Sequence, residues 1–340
     1  MKAAYLLDGK IRTGALPDPE PGPGQVLVRT CCCGMCASDL HMQRYGRELV
    51  DWSNAYGGPF KIDLGRPLVM GHEYVAEIID YGPGAERRLP RGTRVTSPPG
   101  LETPKGPQIV GLSSECPGGF GELMVLSETA LLPIPDSLET ELAAMTEPMS
   151  VGFGYVRNAR LTADDTPLVV GCGAIGLATI MALKLTEARP IIASDFSEAR
   201  RRQALAFGAD IAIDPRETSP FLAHEGRTPN VIFECVGVTG VVDQIIRNCA
   251  ARARIIVAGW CLETDHQLTV CAHTKALNIQ YGGGTSPEGF ATTLKLIAEG
   301  KLDPRPWLGG VVGLSGVADA LDGVGDPDNP IRTLVDPSLA

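Results

Sequence analysis

At 340 residues the chain is long for one hydrophobic core, and two domains are the natural expectation. Its 44% apolar and 21% charged residues are ordinary for a soluble globular protein. A net charge of −10 leaves no basic stripe for nucleic acid or an anionic membrane. No apolar run approaches the roughly 20 residues of a membrane helix, and Met1-Lys2-Ala3-Ala4-Tyr5 enters a strand pattern without a signal-peptide core. A cytoplasmic protein is expected.

Short strands punctuated by Gly and Pro fill roughly the first 135 residues. The run Gln25-Val26-Leu27-Val28-Arg29-Thr30 carries Cys31, Cys32 and Cys33 as strand filler, and most of the ten cysteines read as reduced and buried. In Cys33-Gly34-Met35-Cys36-Ala37-Ser38-Asp39-Leu40-His41 a thiol is followed by a hydroxyl two positions on and an imidazole five positions on. Alone, Cys36 reads as a small buried residue. Gly71-His72-Glu73 adds a nitrogen donor with a carboxylate beside it, and catalytic zinc takes three protein ligands of these types with one position open. Cys36, His72 and one later acid fill that description.

From Thr140 the pattern changes. Residues 168–260 alternate apolar strands with amphipathic helices, the sign of a doubly wound parallel sheet. Leu168-Val169-Val170-Gly171-Cys172-Gly173-Ala174-Ile175-Gly176 places a glycine turn between a strand and a helix, and Asp195 ends the next strand nineteen positions after Gly176. Gly171, Gly173, Ala174, Ile175 and Gly176 would bring a pyrophosphate onto a helix N-terminus, where unpaired amides favour an anion. Asp195 would accept the ribose hydroxyls and repel a 2′-phosphate, so NAD is the expected cofactor. The counter-reading is that Arg200, Arg201 and Arg202 supply phosphate-binding charge that would admit NADP; otherwise the run is a solvated helix face. A helix at 290–300 and a strand near Ile331 complete the chain.

The order and wording of these motifs resemble the zinc-dependent medium-chain dehydrogenase/reductase family, the group of the alcohol and polyol dehydrogenases. The resemblance implies an α/β chain with a GroES-like β-barrel catalytic domain at 1–147 and 284–340. A Rossmann domain, its parallel sheet doubly wound, is then inserted at 148–283 to bind the nucleotide. Thr146-Glu147-Pro148 is similar to the family's Glu-Pro motif, which makes Glu147 the third metal position, directly or through water. By the same likeness Ser38 takes the substrate proton, His41 relays it to solvent, and Glu73 orients the site or exchanges with water on the metal. Val236, ending a strand that resembles the one passing the nicotinamide, and Arg332, reaching the pyrophosphate, are further implied cofactor contacts.

Two departures from the family bear on function. The stretch 97–120, where many members hold a structural zinc with four cysteines, has Cys116 alone, so one catalytic zinc per chain is expected. Thirty-six positions separate Cys36 from His72, and the extra material at 44–60 reads as a loop. There Trp52, Tyr56 and Phe60 either roof the substrate pocket or form a surface flap or subunit contact. The implied activity is hydride transfer between NAD and a secondary, polyol or bulky aromatic alcohol, giving the ketone or aldehyde. A small-molecule alcohol or carbonyl is the partner, in a homo-oligomer of two or four chains. The competing readings are a metal-free quinone or enoyl reductase of the same fold, which lacks the ligand set, and a non-catalytic nucleotide-binding protein.

Overall fold

A computed structural model describes residues 1–339. The chain divides into two compact units, Met1–Glu147 with Phe290–Ala340, and Pro148–Gly289. No helix among the described residues is long and apolar enough to cross a membrane.

In the first unit a seven-stranded sheet is organised around the strand Gln25–Gly34. Alternate residues Val26, Val28 and Thr30 are buried, as the two-residue period of a strand requires. The strand pairs antiparallel with Glu73–Tyr81, and register shifts at Leu27/Val28 and Thr30/Cys32 bend the pair. Gly34 ends up opposite Glu73, and the C-terminal strand Arg332–Val335 pairs along the same end of Gln25–Gly34, Leu334 facing Gly34. Three segments remote in sequence therefore converge just before Cys36. Cys33, Met35, Met42, Leu68, Tyr74, Phe120 and Met124 pack the core beneath them.

The stretch expected as a loop at 44–60 is mostly helical. One helix runs Ala37–Tyr56, kinked at Tyr45, where φ and ψ leave the helical range, and ends on Gly57 at φ +74°. Leu40, Gly46, Leu49, Val50 and Ser53 form its buried face, a spacing close to the helical repeat. Gly46 belongs to that face because a Cβ there would stand 3.3 Å from Met42 Sδ. Phe60 is 2% exposed, held in the core by its amide bond to Ser53 Oγ at 2.9 Å. Tyr56 is 79% exposed, and Trp52, about half exposed, sets its ring 6.5 Å from that of Phe60, so Tyr56 stands apart from the other two aromatics.

The second unit holds a six-stranded sheet in the order Ile211–Ile213, Ile192–Ser194, Pro167–Val170, Val231–Glu234, Arg254–Val257, Asn278–Tyr281. All its pairings are parallel. The chain winds outward on one side of Pro167–Val170 and then crosses to the other. That reversal opens a crevice at the carboxyl ends of the strands, the usual ligand position of such sheets. Gly171 turns there at φ +90°, and a Cβ on Gly176 would lie 1.9 Å from Gly171 O, so the turn closes only around glycine. The helix Ala174–Leu183 that follows is buried from Gly176 onward.

Candidate metal and nucleotide sites

Across the Gly34–Glu73 pairing, Cys36, His72 and Glu73 each bring a donor atom within 4.8 Å of the others, the one such group of three among the described residues. Asp39 sets the approach of the first two. Its Oδ2 accepts the Cys36 amide at 2.9 Å, while Oδ1 accepts the Gly71 amide at 3.4 Å and lies 3.6 Å from His72 Nδ1. With Nδ1 turned to a buried carboxylate, the imidazole points Nε2 toward the site. Burial opposes charge on His72, yet Asp39 and the Cys36 thiol outweigh it and hold the pKa well above the ordinary range.

Glu73 is wholly buried. Its Oε1 accepts Arg332 Nη2 at 2.8 Å, and its Oε2 has no hydrogen-bond partner among the described residues. A buried acceptor left this way is costly unless a ligand satisfies it. Thiol, imidazole and carboxylate make a zinc donor set, and these residues fit that ion. Glu147, expected at the third metal position directly or through water, is not a member of the group within 4.8 Å, whose carboxylate is Glu73. Glu147 opens the helix Thr146–Ala159 and interacts with the group through charge. Burial raises its pKa to about 7, with His72 pulling it down and Glu73 pushing it up.

Arg332 also has a partner the sequence did not indicate. Its guanidinium is 2% exposed, ion-paired with Glu73 and placed over the Trp307 ring at 5.8 Å, which ties it to the metal pocket. Sequence reasoning missed this pair because its members lie 259 positions apart and neither sits in a motif that names the other.

Ser38 Oγ lies 3.3 Å from His72 Nε2, beside the metal position. His41 follows one turn later on the same helix with its ring edge-on to Tyr45 at 6.3 Å. Burial, and then the charge of Arg44, lower its pKa, which favours the neutral, proton-accepting form. Cys116 sits in the stretch with one cysteine, its thiol on Gln108 Oε1 at 3.6 Å.

In the second unit Gly173, Ala174 and Ile175 form the partly exposed rim of the glycine turn and open the helix. Asp195 buttresses the turn, Oδ2 accepting the Cys172 amide and Oδ1 the Ser197 amide, each at 2.8 Å. The three arginines part company. Arg201 pairs with Asp214 at 3.0 Å and Arg202 with Glu198 at 3.2 Å. Arg200 lies over the turn, where a Cβ on Gly173 would stand 2.9 Å from its Nη1. A cation there and a helix N-terminus together suit a pyrophosphate. Val236, 43% exposed, stands at the carboxyl end of Val231–Glu234.

Comparison with known proteins agrees with this geometry. The family model of the alcohol dehydrogenase GroES-like domain matches residues 22–136, and that of the zinc-binding dehydrogenase matches residues 174–299. The (R,R)-butanediol dehydrogenase of Bacillus subtilis is 33% identical over 76% of this chain and 78% of its own length. Bovine sorbitol dehydrogenase is 29% identical over 80% of this chain and 78% of its own. The crystal structure of 2R,3R-butanediol dehydrogenase from Bacillus subtilis superposes with a TM-score of 0.84 at 26% identity, covering 99% of both chains. With a GroES-like domain, a Rossmann-type parallel sheet and this degree of identity, the chain belongs to the zinc-dependent medium-chain dehydrogenase/reductase family, in the group of the alcohol and polyol dehydrogenases.

Proposed function

We propose that this enzyme transfers hydride between a diol or polyol and NAD, oxidising a secondary hydroxyl to a ketone, with one zinc ion per chain. The observation that carries the reading is the Cys36–His72–Glu73 group with Ser38 at its side. A metal-free reductase has no use for those donors, and a nucleotide-binding protein has no use for the hydroxyl. Relatives acting on butanediol and sorbitol favour a vicinal diol or polyol. The case for a bulky aromatic alcohol rested on Trp52, Tyr56 and Phe60 acting together, and with Phe60 in the core that support falls away.

Cys36, His72 and Glu73 would hold the zinc, and Glu147, whose titration His72 and Glu73 both influence, would take part directly or through water. Bound there, zinc supplies Lewis-acid polarisation of the alcohol, and NAD supplies the hydride acceptor. Ser38 takes the hydroxyl proton and His41 passes it toward solvent. Asp39 keeps His72 in its orientation, and Arg332 keeps Glu73 in place. In the nucleotide unit the Gly173–Gly176 turn and Arg200 receive the pyrophosphate, Asp195 the adenosine ribose, and Val236 the nicotinamide end. The enzyme works in the cytoplasm as a homodimer or homotetramer.

A panel of butanediols, sorbitol, simple secondary alcohols and aromatic alcohols, each with NAD and with NADP, tests the assignment. Reduced cofactor should form fastest with a diol or polyol and NAD, on protein carrying one zinc per chain by metal analysis. Absence of turnover with every alcohol on zinc-loaded protein would overturn it. The cofactor choice has its own test in Asp195→Gly. Losing charge-assisted hydrogen bonds to the ribose, worth about 1.5–3 kcal/mol, should weaken NAD binding roughly ten- to hundredfold. NADP should gain relative to NAD as the repelling charge goes, and an unchanged NAD:NADP ratio would remove Asp195 from that role.

A further inference from the structure

Glu234 ends the strand Val231–Glu234 and is 1% exposed. A buried carboxylate is expensive, and it is retained where its hydrogen bonds do something an apolar residue could not. Here Oε1 accepts the amides of Val236 and Gly237 at 2.7 and 2.9 Å. The main-chain carbonyl of the same residue accepts the amides of Ala258 and Gly259 at 2.8 and 3.0 Å. One residue therefore ties together the turns that follow two neighbouring strands, Val231–Glu234 and Arg254–Val257.

Those turns meet backbone to backbone. A Cβ on Gly237 would lie 2.7 Å from Trp260 N, and one on Gly259 would lie 2.2 Å from Gly237 N and 2.8 Å from Glu234 Oε2. Gly237 sits at φ +71°, a conformation that favours glycine. On the outer side the joined turns present Val236, Val238 and Trp260, all substantially exposed. The result is a fixed apolar wall at the carboxyl edge of the sheet, in the row of strand ends that begins with the glycine turn.

We propose that Glu234 is a positioning residue for the nicotinamide end of the cofactor: it locks the Cys235–Val236–Gly237 turn against Gly259–Trp260 so that the wall they form receives the ring. The inference rests on the nucleotide-site reading above. It adds that the ring's seat is built by main-chain bonds to this one carboxylate, while the pyrophosphate and adenosine are held independently at the glycine turn.

The test compares NADH with ADP-ribose, which carries every part of the cofactor except the nicotinamide. Affinities of wild type, Glu234→Gln and Glu234→Ala are measured by NADH fluorescence and by calorimetry, with Tm recorded for each variant. Glu234→Ala should bind NADH roughly tenfold or more weakly, the scale of two lost hydrogen bonds to a buried group, and bind ADP-ribose as wild type does. Glu234→Gln keeps an acceptor oxygen for both amides and should restore NADH affinity. Equal loss of NADH and ADP-ribose in Glu234→Ala would make the residue merely structural and overturn the proposal, as would undiminished NADH binding or a glutamine that fails to rescue. Wild-type protein binding neither ligand would bring down the nucleotide-site reading itself, and the proposal with it.

Discussion

Replacing Cys36 by alanine should empty the metal site and with it abolish turnover. The pocket gathers one thiol, one imidazole and one carboxylate within 4.8 Å, and a catalytic zinc depends on about three protein ligands for tight binding. Removing the thiol, the strongest donor of the set, leaves His72 and a Glu73 already shared with Arg332. Lewis-acid polarisation of the substrate oxygen supplies several kcal/mol, so its loss should lower kcat by about 10³-fold or more. Metal analysis beside initial rates checks both halves. A Cys36→Ala protein that retains one zinc and its activity would remove Cys36 from the site.

Ser38→Ala separates the proton path from the metal. The hydroxyl lies 3.3 Å from His72 Nε2, and its removal subtracts no ligand, so zinc content and NADH affinity should match wild type. Turnover should fall by about 10²–10⁴-fold, the usual contribution of a positioned proton acceptor. His41→Ala should be milder, because buffer can take a proton from the end of a relay, and added imidazole should return part of its activity. Normal kcat in Ser38→Ala, with zinc in place, would transfer the proton to another group.

What the sequence made legible was local. The Cys36–His41 and Gly71–Glu73 motifs, and the turn from Gly171 to Gly176 with Asp195 beyond it, each encode their chemistry within a few residues of backbone. Period-two burial along Gln25–Gly34 and the alternation after residue 168 are likewise properties of short windows. What depended on distant pairing was not legible. Whether Glu73 or Glu147 would stand among the donors turns on which carboxylate the Gly34–Glu73 register carries inward. The partner of Arg332 is decided by a strand joining the sheet at the end of the chain. The helix at 37–56 was hidden for a different reason. Gly46, Gly57 and Gly58 look like loop punctuation, yet Gly46 is a packing glycine inside the helix and only Gly57 marks its stop.

The two register shifts in the Gln25–Gly34 and Glu73–Tyr81 pair carry one more consequence. Strand partners can in principle slide, and a slip of one residue sends every side chain to the opposite face. In most sheets only hydrophobic burial objects to such a slip. Here the donors sit immediately beyond one strand and at the head of the other, so a displaced ladder would also scatter the ligands. A bound ion would then act as a stitch between the two strand ends, recording their alignment. An insertion or deletion between residues 25 and 34 would be felt first as lost chemistry, in a protein that could still be folded.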